Sequence, residues 1–133
     1  MQEVNYKNIL DILFKNFPDF TKTDDYLYIK KNGSGNIHYI VMGVFTNYYI
    51  DLFKSGKTSK IEKANIFLES LSASSDDKLK ELLMFGFLEY LNPNEDYYDN
   101  IVGAFGPKTK VLLKETVEHN QKLAESVDPE LKI

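Results

Sequence analysis

The chain has no cysteine and no tryptophan, only four prolines and two histidines, and no arginine, so all sixteen of its basic residues are lysine. Without cysteine there can be no disulfide, no thiolate ligand for zinc or iron–sulfur chemistry, and no sulfur nucleophile. Without arginine the planar fork that grips phosphates and guanine edges is missing, so nucleic acid is not expected as a partner. No segment approaches the roughly 18 apolar residues of a membrane span. The start, MQEVNYKN, has neither the basic stretch nor the apolar run of a signal peptide. No membrane association is expected, and the expected compartment is the cytoplasm.

What is present argues for a packed core. Hydrophobic residues make up 43% of the 133-residue chain, and nine Phe and nine Tyr supply dense aromatic packing. The length suits one domain spanning residues 1–133. The net charge of −4 is uneven: residues 76–100 hold seven acids against two bases, a local charge of −5.

Hydrophobic spacing predicts helices for most of the chain. Tyr6, Ile9, Leu10, Leu13, Phe14 and Phe17 recur at intervals of three and four, and Pro18 should end that helix. From Tyr26 to Lys30 the pattern reads as period two, Asn32 to Asn36 supplies turn residues, and Ile37 to Met42 could return as a second strand. One small β-hairpin near the N-terminus is therefore expected, and its exposed edge would be a second candidate interface over residues 26–42.

A helix over 43–54 should stop at Ser55-Gly56. Another should open on a capping box, Ser59-Lys60-Ile61-Glu62. A third should start at Asp76 and Asp77, where carboxylates suit the positive end of the helix dipole, and run to Leu91. Within it Gly86 costs about 1 kcal/mol of helix propensity, which points to a close helix crossing. A short helix near 96–104 and a last one opened by Pro107 follow, the latter burying Leu112, Leu113, Val117 and Leu123. The tail from about residue 127 is expected to be loose. The fold expected is mainly α: an antiparallel helical bundle of about six helices with the one hairpin.

Motifs with chemistry are scarce. Gly56-Lys57-Thr58 has the letters that end a phosphate-binding loop, but Asp51 stands where the upstream glycine is needed, and the segment before it is helical. It reads as a helix stop. Asn92-Pro93-Asn94-Glu95-Asp96 resembles a calcium loop, yet Tyr97 takes the place of the sharp-turn glycine. His38 and His119 form no metal-binding pair, and Glu115 and His119 read as an exposed helical pair. Adjacent acids such as Asp76-Asp77 normally act as caps rather than as acid–base pairs. No metal, no cofactor, no catalytic residue and no enzymatic activity are expected. The more informative stretch, residues 89–100, mixes four acids with three tyrosines and no base. Tyrosine provides contact area at low entropic cost, and clustered acids steer a basic partner. The candidate partner-binding residues are Tyr90, Glu95, Asp96, Tyr97, Tyr98 and Asp99. The competing reading is an inter-helix loop whose tyrosines bury their rings.

The stretches GVFTNYYIDLFKSG, IFLESLSASSDDKLKELLMFGFLEYL and IVGAFGPKTKVLL, between Gly43 and about Asn120, resemble an uncharacterised family of small bacterial helical domains. They are patterns of core packing and helix punctuation, and none carries a functional residue across. The resemblance implies a small cytoplasmic protein similar to those suspected of being immunity proteins in toxin systems. The expected function is thus to bind and neutralise a toxin domain, such as a basic nuclease. The alternatives are a non-catalytic scaffold or regulatory domain and, further off, a small hydrolase using carboxylates. Oligomeric state is not legible.

Overall fold

The computed structural model describes residues 3–32 and 36–126. Among the described residues there are seven α-helices and no strand: α1 Ile9–Asn16, α2 Asp24–Asn32, α3 Ile37–Lys54, α4 Thr58–Ser72, α5 Asp77–Gly86, α6 Tyr98–Ala104 and α7 Pro107–Ser126. Short 3-10 turns, Phe20–Lys22 and Leu88–Tyr90, follow α1 and α5.

The expected hairpin is absent, and local chemistry shows why. The Thr23 hydroxyl accepts the Tyr26 amide at 3.2 Å, which caps α2. Asp24 and Asp25 occupy its first turn and Lys30 and Lys31 its last, each matching the helix dipole. The run Tyr26-Leu27-Tyr28-Ile29 is apolar throughout, so it permits period three as readily as period two. Tyr26 and Ile29 turn inward with Leu10, Phe14 and Val41, whereas Leu27 and Tyr28 are 51% and 68% exposed. Residues 37–42, read as a returning strand, are the first turns of α3. A strand-edge interface over 26–42 is thereby ruled out for its described residues; the turn residues 33–35 lie outside them.

Helix punctuation elsewhere follows the residues. At the end of α3 the Lys57 amide bonds the Leu52 carbonyl at 3.0 Å and the Gly56 amide bonds that of Phe53 at 3.2 Å. Gly56 has φ +65°, the left-handed conformation this C-cap requires. The GKT letters are a helix stop. The capping box expected at Ser59 does not form: α4 begins one residue earlier, at Thr58, and no side chain caps it. The chain leaving Gly56 already runs in helical register, with the Ile61 amide on the Lys57 carbonyl at 2.9 Å. The helix expected to reach Leu91 stops at Gly86 and passes into a 3-10 turn.

The core is aromatic and centred on α3. Phe45 lies against Phe17, Phe20, Tyr48 and Phe87, with ring centroids 5.3 to 5.9 Å apart. Tyr49 packs on Phe87 and Phe53 at 5.2 Å. Its hydroxyl donates to Asn65 Oδ1, tying α3 to α4, and burial pushes the phenol's pKa far up. α5 crosses α3 where Gly86 faces Met42. On α7, Leu112 and Leu113 are buried as expected, but Val117 and Leu123 are 40% and 54% exposed, because the second half of this helix extends past the core. The expectation of a loose tail concerns residues 127–133, outside those described. Among the described residues no helix is long and apolar enough to cross a membrane.

Two helical glycines give opposite predictions. A Cβ on Gly86 would lie 3.1 Å from Met42 Cβ, an atom fixed close to the α3 backbone, whereas one on Gly43 would meet nothing within 4 Å. Gly86→Ala should therefore destabilise the protein by about 1–3 kcal/mol through overpacking. Gly43→Ala should stabilise it by up to about 1 kcal/mol. Denaturant midpoints of the two variants check both signs.

Candidate functional site

The acidic-tyrosine stretch is held at both ends by the core. Leu91 is buried where the 3-10 turn after α5 ends, and Ile101 and Phe105 are buried in and after α6. Between them Asn92 folds back on itself: its side-chain carbonyl accepts the Asn94 amide at 3.0 Å and its main-chain carbonyl accepts that of Glu95 at 3.1 Å. The Glu95 carbonyl then accepts the Tyr98 amide at 3.1 Å, delivering the chain into α6. Pro93, Asn94, Glu95 and Asp96 are all exposed along this turn.

The six predicted partner-binding residues do not form one patch. Glu95, Asp96 and Tyr97 line an open depression of about 430 Å³ with Asn100 and with Phe53 and Lys54 from the end of α3. Tyr97 is half-buried there, with the Lys54 ammonium 5.8 Å from its ring centroid. Tyr98, one residue on, turns the other way and lines a groove against α7 beside Leu91, Leu113 and Val117. Tyr90 is 58% exposed and belongs to a third depression, with Tyr39, Ile40, Val44 and Asn47 on the outer face of α3. Asp99 is exposed in the first turn of α6 and lines none of the three. Both readings of the stretch thus hold in part: its acids are exposed, while Tyr97 and Tyr98 pack against the core. Phe53 and Lys54 have no sequence signal that would join them to residues some forty positions later.

The strongest electrostatic arrangements lie elsewhere and are structural. Asp76 caps α5, its Oδ1 accepting the Lys78 amide at 3.0 Å and the Leu79 amide at 3.4 Å. Its Oδ2 accepts the Tyr6 amide at 2.8 Å, which clips the N-terminal segment to this helix. The bond from Tyr6 is the main cause holding this carboxyl below its ordinary range; the bonds from Leu79 and Lys78 add to it against a smaller desolvation effect. The same Tyr6 stacks its ring on His38 at 4.1 Å, and its carbonyl bonds His38 Nε2 at 2.8 Å.

Glu69 of α4 caps α7 from outside, accepting the Lys108 amide at 3.0 Å, the Thr109 amide at 2.9 Å and the Thr109 hydroxyl at 2.9 Å. Burial works to raise its pKa, but these bonds together outweigh it and hold the carboxyl low. Gly106 makes the approach possible, since a Cβ there would come within 2.6 Å of the Glu69 carboxyl carbon. His119, expected to pair with Glu115 in solvent, instead lays its ring against Phe85 at 5.0 Å. Among the described residues no three His, Asp or Glu side chains are gathered as a metal-binding set.

These features define an all-α domain in which Asp76 and Glu69 serve as helix caps, while the exposed Glu95 and Asp96 border a shallow aromatic depression. The chain belongs to the family described as Domain of unknown function (DUF7674), which matches residues 10–121. The match reaches into α1, α2 and the start of α3, beyond the stretch from Gly43 that carries the resemblance noted in the sequence. No curated protein and no solved structure matches the chain.

Because Asp76 and Glu69 have depressed pKa values in the folded protein, they contribute stability that is present above about pH 4 and lost as pH falls through their folded values. Asp76→Asn and Glu69→Gln should lower stability at pH 7 and flatten its decline between about pH 5 and pH 2. Denaturant midpoints measured across that range check this; curves parallel to the parent's would contradict it.

Proposed function

We propose that this chain acts by binding another protein, as an immunity protein that neutralises a toxin domain with a basic surface, such as a nuclease, in the cytoplasm of a bacterium. The observation that carries the reading is the depression at the end of α3, where Glu95 and Asp96 stand exposed around the half-buried Tyr97. Among the described residues neither carboxylate has a basic partner within 4.0 Å; the one such ion pair there is Lys60 with Asp19. Unpaired acids on a turn whose ends are fixed in the core favour a cationic surface, and the local charge of −5 over residues 76–100 steers it at long range. Occlusion needs no chemistry from the chain. Among the described residues the carboxyls with shifted ionisation, Asp19, Glu69 and Asp76, all move downward and all serve an ion pair or a helix cap. A general acid at neutral pH needs the opposite shift, so a carboxylate hydrolase is the weaker reading.

A non-catalytic scaffold is the second reading, favoured by the depression around Tyr90 on the outer face of α3, which lies apart from the acidic one. Co-expression with the protein encoded immediately upstream separates the two. Immunity predicts growth rescue and a complex that co-purifies; arrest with no complex overturns it. Exposed acids are the better probes of the interface, since truncating half-buried Tyr97 would also cost stability. The double variant Glu95→Lys with Asp96→Lys should weaken the complex by about 2 kcal/mol or more while shifting the melting temperature little. Unchanged affinity would remove the site assignment.

A further inference from the structure

Among the described residues Lys54 is the one base in the wall of the acidic depression, and it is turned to a ring. Its Nζ lies 5.8 Å from the centroid of Tyr97 and makes no ion pair with Glu95 or Asp96 within 4.0 Å. A cation at this range over an aromatic face is attracted by the ring's quadrupole, so Tyr97 already serves as a cation seat. Phe53 brings a second ring into the same concavity, and the turn that carries Tyr97 is anchored on both sides, so the seat is formed before any ligand arrives.

We propose that the Tyr97 face receives a guanidinium side chain of a basic protein partner, and that Lys54 is a stand-in which this group displaces. The proposal rests on the binding reading above and names the chemistry recognised at that site. A guanidinium fits best, because it is planar, more weakly hydrated than an ammonium, and can stack on Tyr97 while donating to neighbouring carboxylates. The chain has no arginine of its own to fill the seat. Lys54 holds it by an exposed contact through a flexible stem, which a partner's side chain fixed at an interface can replace. Lys54 also repels every incoming cation, and so acts as a specificity-determining residue: a lone lysine gains little by replacing it, whereas an arginine that also reaches Glu95 or Asp96 gains more.

The probe is N-acetyl-arginine amide, titrated into the full-length, isotope-labelled chain and followed by NMR, with the neutral citrulline analogue as control. Arginine amide should shift the signals of Phe53, Tyr97 and Asn100, and the citrulline analogue should not. Lys54→Met, which keeps the apolar stem, should tighten binding by about threefold, the effect of removing one like charge about 6 Å away in a nearly aqueous medium. Tyr97→Leu should abolish the shifts while the rest of the spectrum stays folded. Shifts spread evenly along the acidic segment, or an affinity unchanged by Lys54→Met, would overturn the proposal. If the upstream-encoded protein binds and is lost with Glu95→Lys and Asp96→Lys, yet arginine amide leaves Tyr97 unmoved, the cation seat falls and the binding reading stands. If arginine amide seats on Tyr97 as described but no complex with that protein forms, the seat stands and the immunity reading falls.

Discussion

The close crossing of α3 and α5 is the constraint on which the rest of the structure depends. With no side chain at Gly86, α5 comes down onto Met42, and the Thr46 hydroxyl, bonded to the Met42 carbonyl at 2.8 Å, lies 3.4 Å from the Gly86 carbonyl. That closeness brings Phe87, the next residue, between Phe45 and Tyr49, where it completes the aromatic core. A wider crossing would open a gap in that core, and interiors tolerate few gaps. α5 ends at this crossing. After Gly86 the chain turns off through a 3-10 segment, and the turn that carries Glu95 and Asp96 follows from there.

Side chains that reach across the chain hold the other helices to this pair. Asp76 joins the N-terminal segment to α5, Glu69 joins α4 to the start of α7, and Tyr49 joins α3 to Asn65 of α4. Each satisfies groups that a helix end or a buried hydroxyl would otherwise leave without a partner. Ser72 extends the link at α7, bonding the Leu68 carbonyl and the Thr109 hydroxyl. The acidic depression inherits its form from this frame, since one wall is the last turn of α3 and the other is the turn between Leu91 and Ile101.

Much of this fold was legible in the residues. The helical spacing of α1, of α3 from Gly43 onward and of α4 to α7, the stop at Gly56, the cap at Asp76, the close approach at Gly86 and the opening of α7 at Pro107 all follow from side-chain chemistry acting over a few positions. The reading failed where local patterns were ambiguous. Four consecutive apolar residues, Tyr26 to Ile29, carry no period of their own, and the Thr23 cap that decides in favour of a helix stands three residues ahead of them. Val117 and Leu123 have core spacing, but α7 outruns the body it packs on. The candidate site was half legible. Its acids and tyrosines were visible as a cluster along the chain, but adjacent residues of a turn point apart, so Tyr97, Tyr98 and Tyr90 face three different hollows.

Composition and periodicity by themselves determined that this chain is a helical domain with an aromatic core, no thiol chemistry and an acidic segment, because those properties depend on residue type and near-neighbour spacing alone. Only the tertiary structure decided that Lys54 meets Tyr97 in a depression Phe53 also lines, that Asp76 takes the Tyr6 amide and that Glu69 caps a helix some forty residues away. Such contacts depend on how helices cross, and the crossing is set by the summed packing of the whole core rather than by any local stretch of residues.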